Sequence, residues 1–119
     1  MSVKASQFDL LAKLLDVANV RHRTIAQNVA NVNTPGYHRL EISFEDSLAR
    51  ELGRPGGKTV AKLSPKVIEA RGAAERADGN NVDIDAEMGH LTKNALLHNA
   101  YAQILANKIA TMRSAITGR

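Results

Sequence analysis

The stretch QNVANVNTPGYHR, Gln27 to Arg39, closes one long helical pattern, and the reading of the whole chain turns on it. Upstream, Phe8, Leu11, Leu15, Ala18, His22, Ile25, Val29 and Val32 recur at alternating spacings of three and four, and seven of these eight are apolar. Residues so spaced share one face of a helix, so the pattern is a coiled-coil seam. At ~1.5 Å per residue, Gln7 to Val32 is a rod of roughly 39 Å. The quoted stretch then stops it. Thr34-Pro35-Gly36-Tyr37 fits a type II turn, with Pro in the second place and Gly where a positive φ is required. Pro35 also pushes Thr34 out of the helical region. Asn28, Asn31 and Asn33 crowd into six positions, although asparagine is a poor helix former and one suffices for a stop. Amides that donate and accept imply bonds to neighbouring backbone or to neighbouring chains.

A second seam runs through the C-terminal part. Ile84, Met88, Leu91, Ala95, His98, Ala102, Leu105, Ile109, Met112 and Ile116 again alternate four and three. Asp83, Asp85 and Glu87 cluster where this helix starts, and Lys108, Arg113 and Arg119 lie toward its end, which complements the helix dipole. Gly118 reads as the stop. The spacing therefore predicts a mainly α chain: two long terminal helices in an antiparallel coiled-coil-like hairpin, at 1–33 and 83–119, with an irregular segment at 34–82. Within that segment Glu41–Leu52 fits a short helix under Phe44, Leu48 and Leu52. An extended piece is expected around Val60 and Leu63, and the breakers of Gly53–Lys58 fit a flexible turn.

Bulk composition narrows the classes. The 119 residues suit one small domain, and 3% aromatics without Trp favour helix-on-helix packing over a sandwich. The absence of Cys excludes disulfides and thiolate metal sites. The net charge of +4 is spread evenly: six Lys/Arg against five acids in residues 1–50, six against four in 51–82, four against three in 83–119. A nucleic-acid binder concentrates such an excess on one face, so no nucleic-acid partner is expected. No apolar run is long enough to span a membrane, and no cleavable signal peptide of the ordinary kind is visible. Gly57-Lys58-Thr59 fails as a phosphate loop, because Leu52 stands where that motif needs its first Gly. His22, His38, His90 and His98 show no metal-ligand spacing. No carboxylate pair or nucleophile elbow appears, so no enzyme activity, cofactor, metal or small-molecule substrate is expected.

The motif NVANVNTPGY (Asn28–Tyr37) resembles the N-terminal signature of the flagellar rod, hook and hook-associated axial proteins. That signature runs Asn, aliphatic, Ala, Asn, two variable places, Thr, any residue, Gly, aromatic, and every fixed place is matched. Asn80–Arg119 resembles the end of the family's proximal rod subunits, in its Asn-x-Val-Asp-aliphatic-Asp-x-Glu-Met opening and its late Lys108-Ile109-x-x-Met112. A sister rod subunit has Arg and Glu where this chain has His98-Asn99-Ala100-Tyr101. The middle leaves no room for the large inserted domain of distal rod and hook proteins.

The resemblance implies a structural subunit of the bacterial flagellar basal body, polymerising into the drive shaft, with Asn28, Ala30, Asn31, Asn33, Thr34, Pro35, Gly36 and Tyr37 as assembly motif. The implied partners are copies of itself, rod subunits of the FlgC and FlgF kind, the adaptor FliE and the MS ring. The implied location is the rod within the periplasm, reached through the flagellar type III export apparatus without a cleaved signal peptide. The residues suggest how such a subunit associates. A hairpin opposing Phe8 to Ile116 and Val32 to about position 92 leaves Leu10, Leu14, Val17, Leu96, Tyr101 and Ile104 off the seam. Exposed apolar stripes mark interaction surfaces, and head-to-tail contacts that do not close build filaments. Neighbouring subunits are therefore expected to cover these stripes, with Asn28, Asn31 and Asn33 bonding between chains. The alternative is a stand-alone helical adaptor that binds a partner helix in its groove.

Overall fold

The computed structural model describes residues 3–54 and 60–118, with side chains from residue 7 onward. The turn and phosphate-loop readings at 55–59 fall outside the described residues. The molecule is elongated, 63 × 32 × 15 Å. Helix α1 (Val3–Ala30) leads into strand β1 (Leu40–Ser43) and helix α2 (Glu45–Gly53). A single 3-10 turn (Val60–Lys62), strand β2 (Lys66–Glu69) and helix α3 (Ile84–Thr117) follow. The long helices lie antiparallel, as the Gln7–Lys108 and Asn28–Glu87 contacts at their two ends require. Helix ends are built from the residues suited to them. The Asp83 carboxylate caps α3 by accepting from the N–H groups of Asp85 (3.0 Å) and Ala86 (3.4 Å). Gly118, at φ 74°, closes α3 in the left-handed conformation and donates to Ser114 O at 2.8 Å.

The middle segment, irregular over much of its length, also holds a small two-stranded sheet. β1 pairs antiparallel with β2, Leu40 opposite Glu69 and Ser43 opposite Lys66. The extended piece thus lies at Lys66–Glu69, while Val60 sits in the 3-10 turn and Leu63 follows it. The short helix forms, with Leu48 against the core and Leu52 turned to solvent. This segment folds back along α1, so that Val17, Ile42 and Phe44 form a buried cluster with Leu14, Val20, Leu48 and Leu63 packed around it. Each such side chain removed from water contributes about 1.5–3 kcal/mol.

That packing corrects the expected subunit surface. Val17 is 2% exposed, Leu14 packs on the same cluster, and Leu10 is half-buried. α1 has two apolar faces, and the chain's own middle segment covers the second one. Tyr101 is half-buried on the inner stripe of α3, whereas Leu96 and Ile104 are exposed as expected.

The seam on α3 is also turned. Its covered positions are Glu87, Leu91, Asn94, His98, Tyr101, Ala102, Leu105 and Lys108. Ile109, Met112 and Ile116, expected in the seam, are exposed, Ile116 by 80%. On α1 the seam holds at Phe8, Leu11, Leu15, Ile25 and Val29, all buried or half-buried, and breaks at the exposed His22. The level of the helices differs as well. With Gln7 bonded to Lys108 and Asn28 to Glu87, Phe8 lies level with residue 107, nine residues short of Ile116. Polar ties between the helices, absent from any apolar pattern, set this level.

A candidate assembly site: the closed end and the bare α3 face

Three backbone turns meet where α1 ends and α3 begins, and their polar groups must be satisfied away from water. Asn28 is at the centre with no exposed surface. Its amide nitrogen donates to Leu40 O at 2.8 Å and to Glu87 Oε2 at 3.2 Å. Its oxygen accepts from Leu40 N and from the Tyr37 hydroxyl, both at 2.9 Å. All four bonding places of the amide are filled. Two of them serve the N–H and C=O of Leu40, so a helix side chain stands in for a neighbouring strand on the inner edge of β1. Arg21 does the same for Ile42 O at 3.3 Å while bonding Glu45 at 2.7 Å. On the outer edge Arg39 O accepts from Ala70 N at 3.0 Å.

Glu87, also fully buried, holds Arg39 through its Oε1 at 2.6 Å. Its carboxylate thus faces the two cationic or polar donors that compensate it. Burial, and next the Glu87 carboxylate, push the Tyr37 phenol above its ordinary value. The phenol stays neutral and keeps its proton for Asn28.

The loop before α3 completes the network. Fully buried Asn80 donates to Asn31 O at 2.9 Å and Thr34 O at 2.8 Å, so it caps carbonyls left open as α1 ends. Its own oxygen accepts from Val82 N at 2.7 Å. Asn81 accepts from Arg39 N at 2.6 Å, and the Arg76 guanidinium bonds Val32 O and Val82 O. The turn has the expected form: Tyr37 N donates to Thr34 O at 3.2 Å and Gly36 has φ 74°. Gly36 N reaches Asp78 O at 2.8 Å, and a Cβ on Gly79 would stand 3.4 Å from Gly36 Cα. Both glycines have positive φ, so any side chain there is strained.

Within the chain itself the amides of Asn28 and Asn31, expected to bond between chains, already have partners. Asn28 is sealed inside its own chain. Asn31 bonds Gln27 O at 2.8 Å and takes the Thr34 hydroxyl at 3.0 Å. Asn33, Thr34, Pro35 and Gly36 are exposed on the rim, as is Ala30. Glu87 appeared in the sequence only as helix-start charge. Its place on the stripe with Leu91, Asn94 and His98 was the available signal of burial. Arg39, Asn80, Asn81 and Arg76 carried no such signal, because the groups they bond reach them only in the folded chain.

Away from this end α3 is bare. Leu96, Ile104, Ile109, Met112 and Ile116 are exposed along one helix. A cleft of about 350 Å³ opens between Phe8, Ile104 and Met112. Among the described residues no group of His, Asp or Glu is arranged to hold a metal, and no helix is long and apolar enough to cross a membrane.

The Asn28–Tyr37 stretch, which resembles the signature of the flagellar axial proteins, thus closes one end of a two-helix hairpin whose C-terminal helix carries exposed apolar side chains. No protein-family model matches the sequence. The chain is similar to the flagellar basal body rod protein FlgB of Borrelia hermsii, 28% identical over 98% of this chain and 99% of that one. It is likewise similar to FlgB of Bacillus subtilis strain 168, 26% identical over 99% and 98%, and of Aquifex aeolicus, 24% identical over 93% of each. Agreement along nearly the whole length, in bacteria this diverse, supports a flagellar basal-body rod protein of the FlgB kind.

Proposed function

We propose that this chain is a structural subunit of the flagellar rod that polymerises into the proximal part of the drive shaft and passes motor torque outward. The observation that carries the reading is the end-to-end similarity to rod proteins, from α1 through the middle segment to α3. The exposed apolar side chains of α3 support it: Leu96 and Ile104 point away from α1, and Ile109, Met112 and Ile116 continue the seam beyond the level of Phe8, and apolar surface left open on a small chain marks an interaction surface. Its role is structural, and flagellum-dependent motility requires it. The rod lies in the periplasm, and the subunit reaches it through the flagellar type III apparatus without a cleaved signal peptide.

The division of labour differs from a simple pair of greasy rods. Residues of the signature hold the subunit's own closed end, while Leu96, Ile104, Ile109, Met112 and Ile116 meet neighbours. Those neighbours are copies of itself and other rod subunits of the FlgC and FlgF kind, with FliE and the MS ring at the base. Asn33, Thr34 and Pro35 on the rim are the part of the signature available to them.

Complementation of a strain lacking the gene tests this. The parent chain restores flagella and swimming. Leu96→Asp/Ile104→Asp leaves a folded, exported monomer, read by circular dichroism and by its presence outside the cytoplasm, yet fails to build the rod. Normal swimming by that double variant removes the α3 face from the interface. Normal flagella in the deletion strain itself removes the rod assignment.

A further inference from the structure

The apolar pattern of the long helices does not define how they pair. Both seams repeat every seven residues, so sliding α3 by one heptad, about 10.5 Å, sets apolar against apolar again. The slid hairpin sets Phe8 level with residue 114, within two residues of the level that the sequence pattern suggests, and brings Leu11 near Met112. It would cover Ile109, Met112 and Ile116, which the observed hairpin leaves exposed. It would give up little at the other end, where Ile84 and Met88 are exposed already. Apolar burial alone therefore does not exclude it, and polar groups must.

One such group is the closed-end network. The other stands alone, two helical turns along α3. Asn94 is buried inside the α1–α3 interface, and its amide nitrogen donates to Ala18 O at 2.8 Å. Its Oδ1 is buried without a partner. An unpaired buried acceptor is a standing penalty, which an apolar side chain of similar size removes. Slid by a heptad, Asn94 comes level with Ile25 and loses its fit to Ala18. A polar side chain in an apolar seam that is satisfied at one level only, at a cost in stability, is a selector of that level.

We propose that Asn94 is a second selector of the α1–α3 pairing, independent of the network around Asn28. The chain has no cysteine, so spin labels attach only where cysteines are introduced. Ala12→Cys with Gln103→Cys marks exposed positions that lie level in the observed hairpin, and Ala12→Cys with Ala110→Cys marks those level in the slid one. Pulsed electron paramagnetic resonance would read both pairs in the parent, Asn94→Leu, Asn28→Ser and the double variant. The parent and each single variant hold the observed level. The double variant gains a second population in which the Ala12–Ala110 pair is the closer one. Asn94→Leu alone melts at a higher temperature than the parent. The proposal is overturned if Asn28→Ser slides as completely as the double variant. It is equally overturned if the double variant keeps the observed level, or if Asn94→Leu melts lower. The melting comparison stands even where Asn28→Ser proves too unstable to label.

Discussion

The two ends of this hairpin are built on opposite principles. At the closed end, Asn28, Asn80 and Glu87 have no exposed surface, and side-chain hydrogen bonds join parts of the chain up to 59 residues apart. At the far end, Gln7–Lys108 is a polar contact among exposed groups, and Ile109, Met112 and Ile116 face solvent. One end is closed by bonds within the single chain, and the other leaves apolar side chains facing solvent. The signature that looks like an assembly motif is therefore first a folding device. It ties the end of α1 to β1 and to the start of α3.

The largest test of this contrast lies at the closed end. Glu87→Ala leaves Arg39 Nε and the Asn28 amide without their acceptor in a buried site, and should destabilise the chain by about 3–5 kcal/mol in urea unfolding. A loss below about 1 kcal/mol would mean that the network does not hold this end.

A smaller effect is expected at Tyr37. Tyr37→Phe removes the bond to Asn28 and should cost about 1 kcal/mol at neutral pH. Its pH dependence has a definite sign. The folded phenol titrates above its ordinary value of 10.0, so the folded state holds its proton longer than the unfolded one. The stability linked to this group is complete below that value and is lost as pH rises through it toward the folded value. Unfolding at pH 8 to 11 should show a steeper loss in the parent than in Tyr37→Phe, and equal slopes would contradict the burial of the phenol.

The smallest effect belongs to the far end. Ile116→Asp should change the stability of the dilute monomer by no more than about 0.5 kcal/mol, because this side chain is 80% exposed. The same variant should weaken rod assembly, scored by flagellar counts in complemented cells. A large loss of monomer stability would show that the far end is closed after all.

Several features were plain in the sequence because they depend on near neighbours. The α1 seam, the Thr34–Tyr37 turn, the acidic start of α3 and its glycine stop are local, and each rests on spacing or on the backbone freedom of one residue. The β1–β2 pair was not legible, since four-residue strands carry too little alternation to stand out. Val17 was misplaced for a related reason. An apolar residue off one seam looks exposed until the partner of the second face is known, and here Ile42 and Phe44 arrive from outside the helix. The amides were recognised as unusual, but their partners could not be named, because Asn80, Leu40 and Glu87 meet them only once the chain has folded.

By itself the sequence determined that two long amphipathic helices flank a turn that only Pro35 and Gly36 suit, and that the ends match a flagellar rod subunit. Periodicity reports the angle of a residue around its helix, which suffices for those statements. It carries no information about level along the axis, and a heptad pattern is the same after every seven residues. Only the tertiary structure shows that level, marked by the Asn28–Glu87 and Asn94–Ala18 bonds, because a hydrogen bond fails within an ångström or so of displacement while an apolar contact tolerates a full heptad slip.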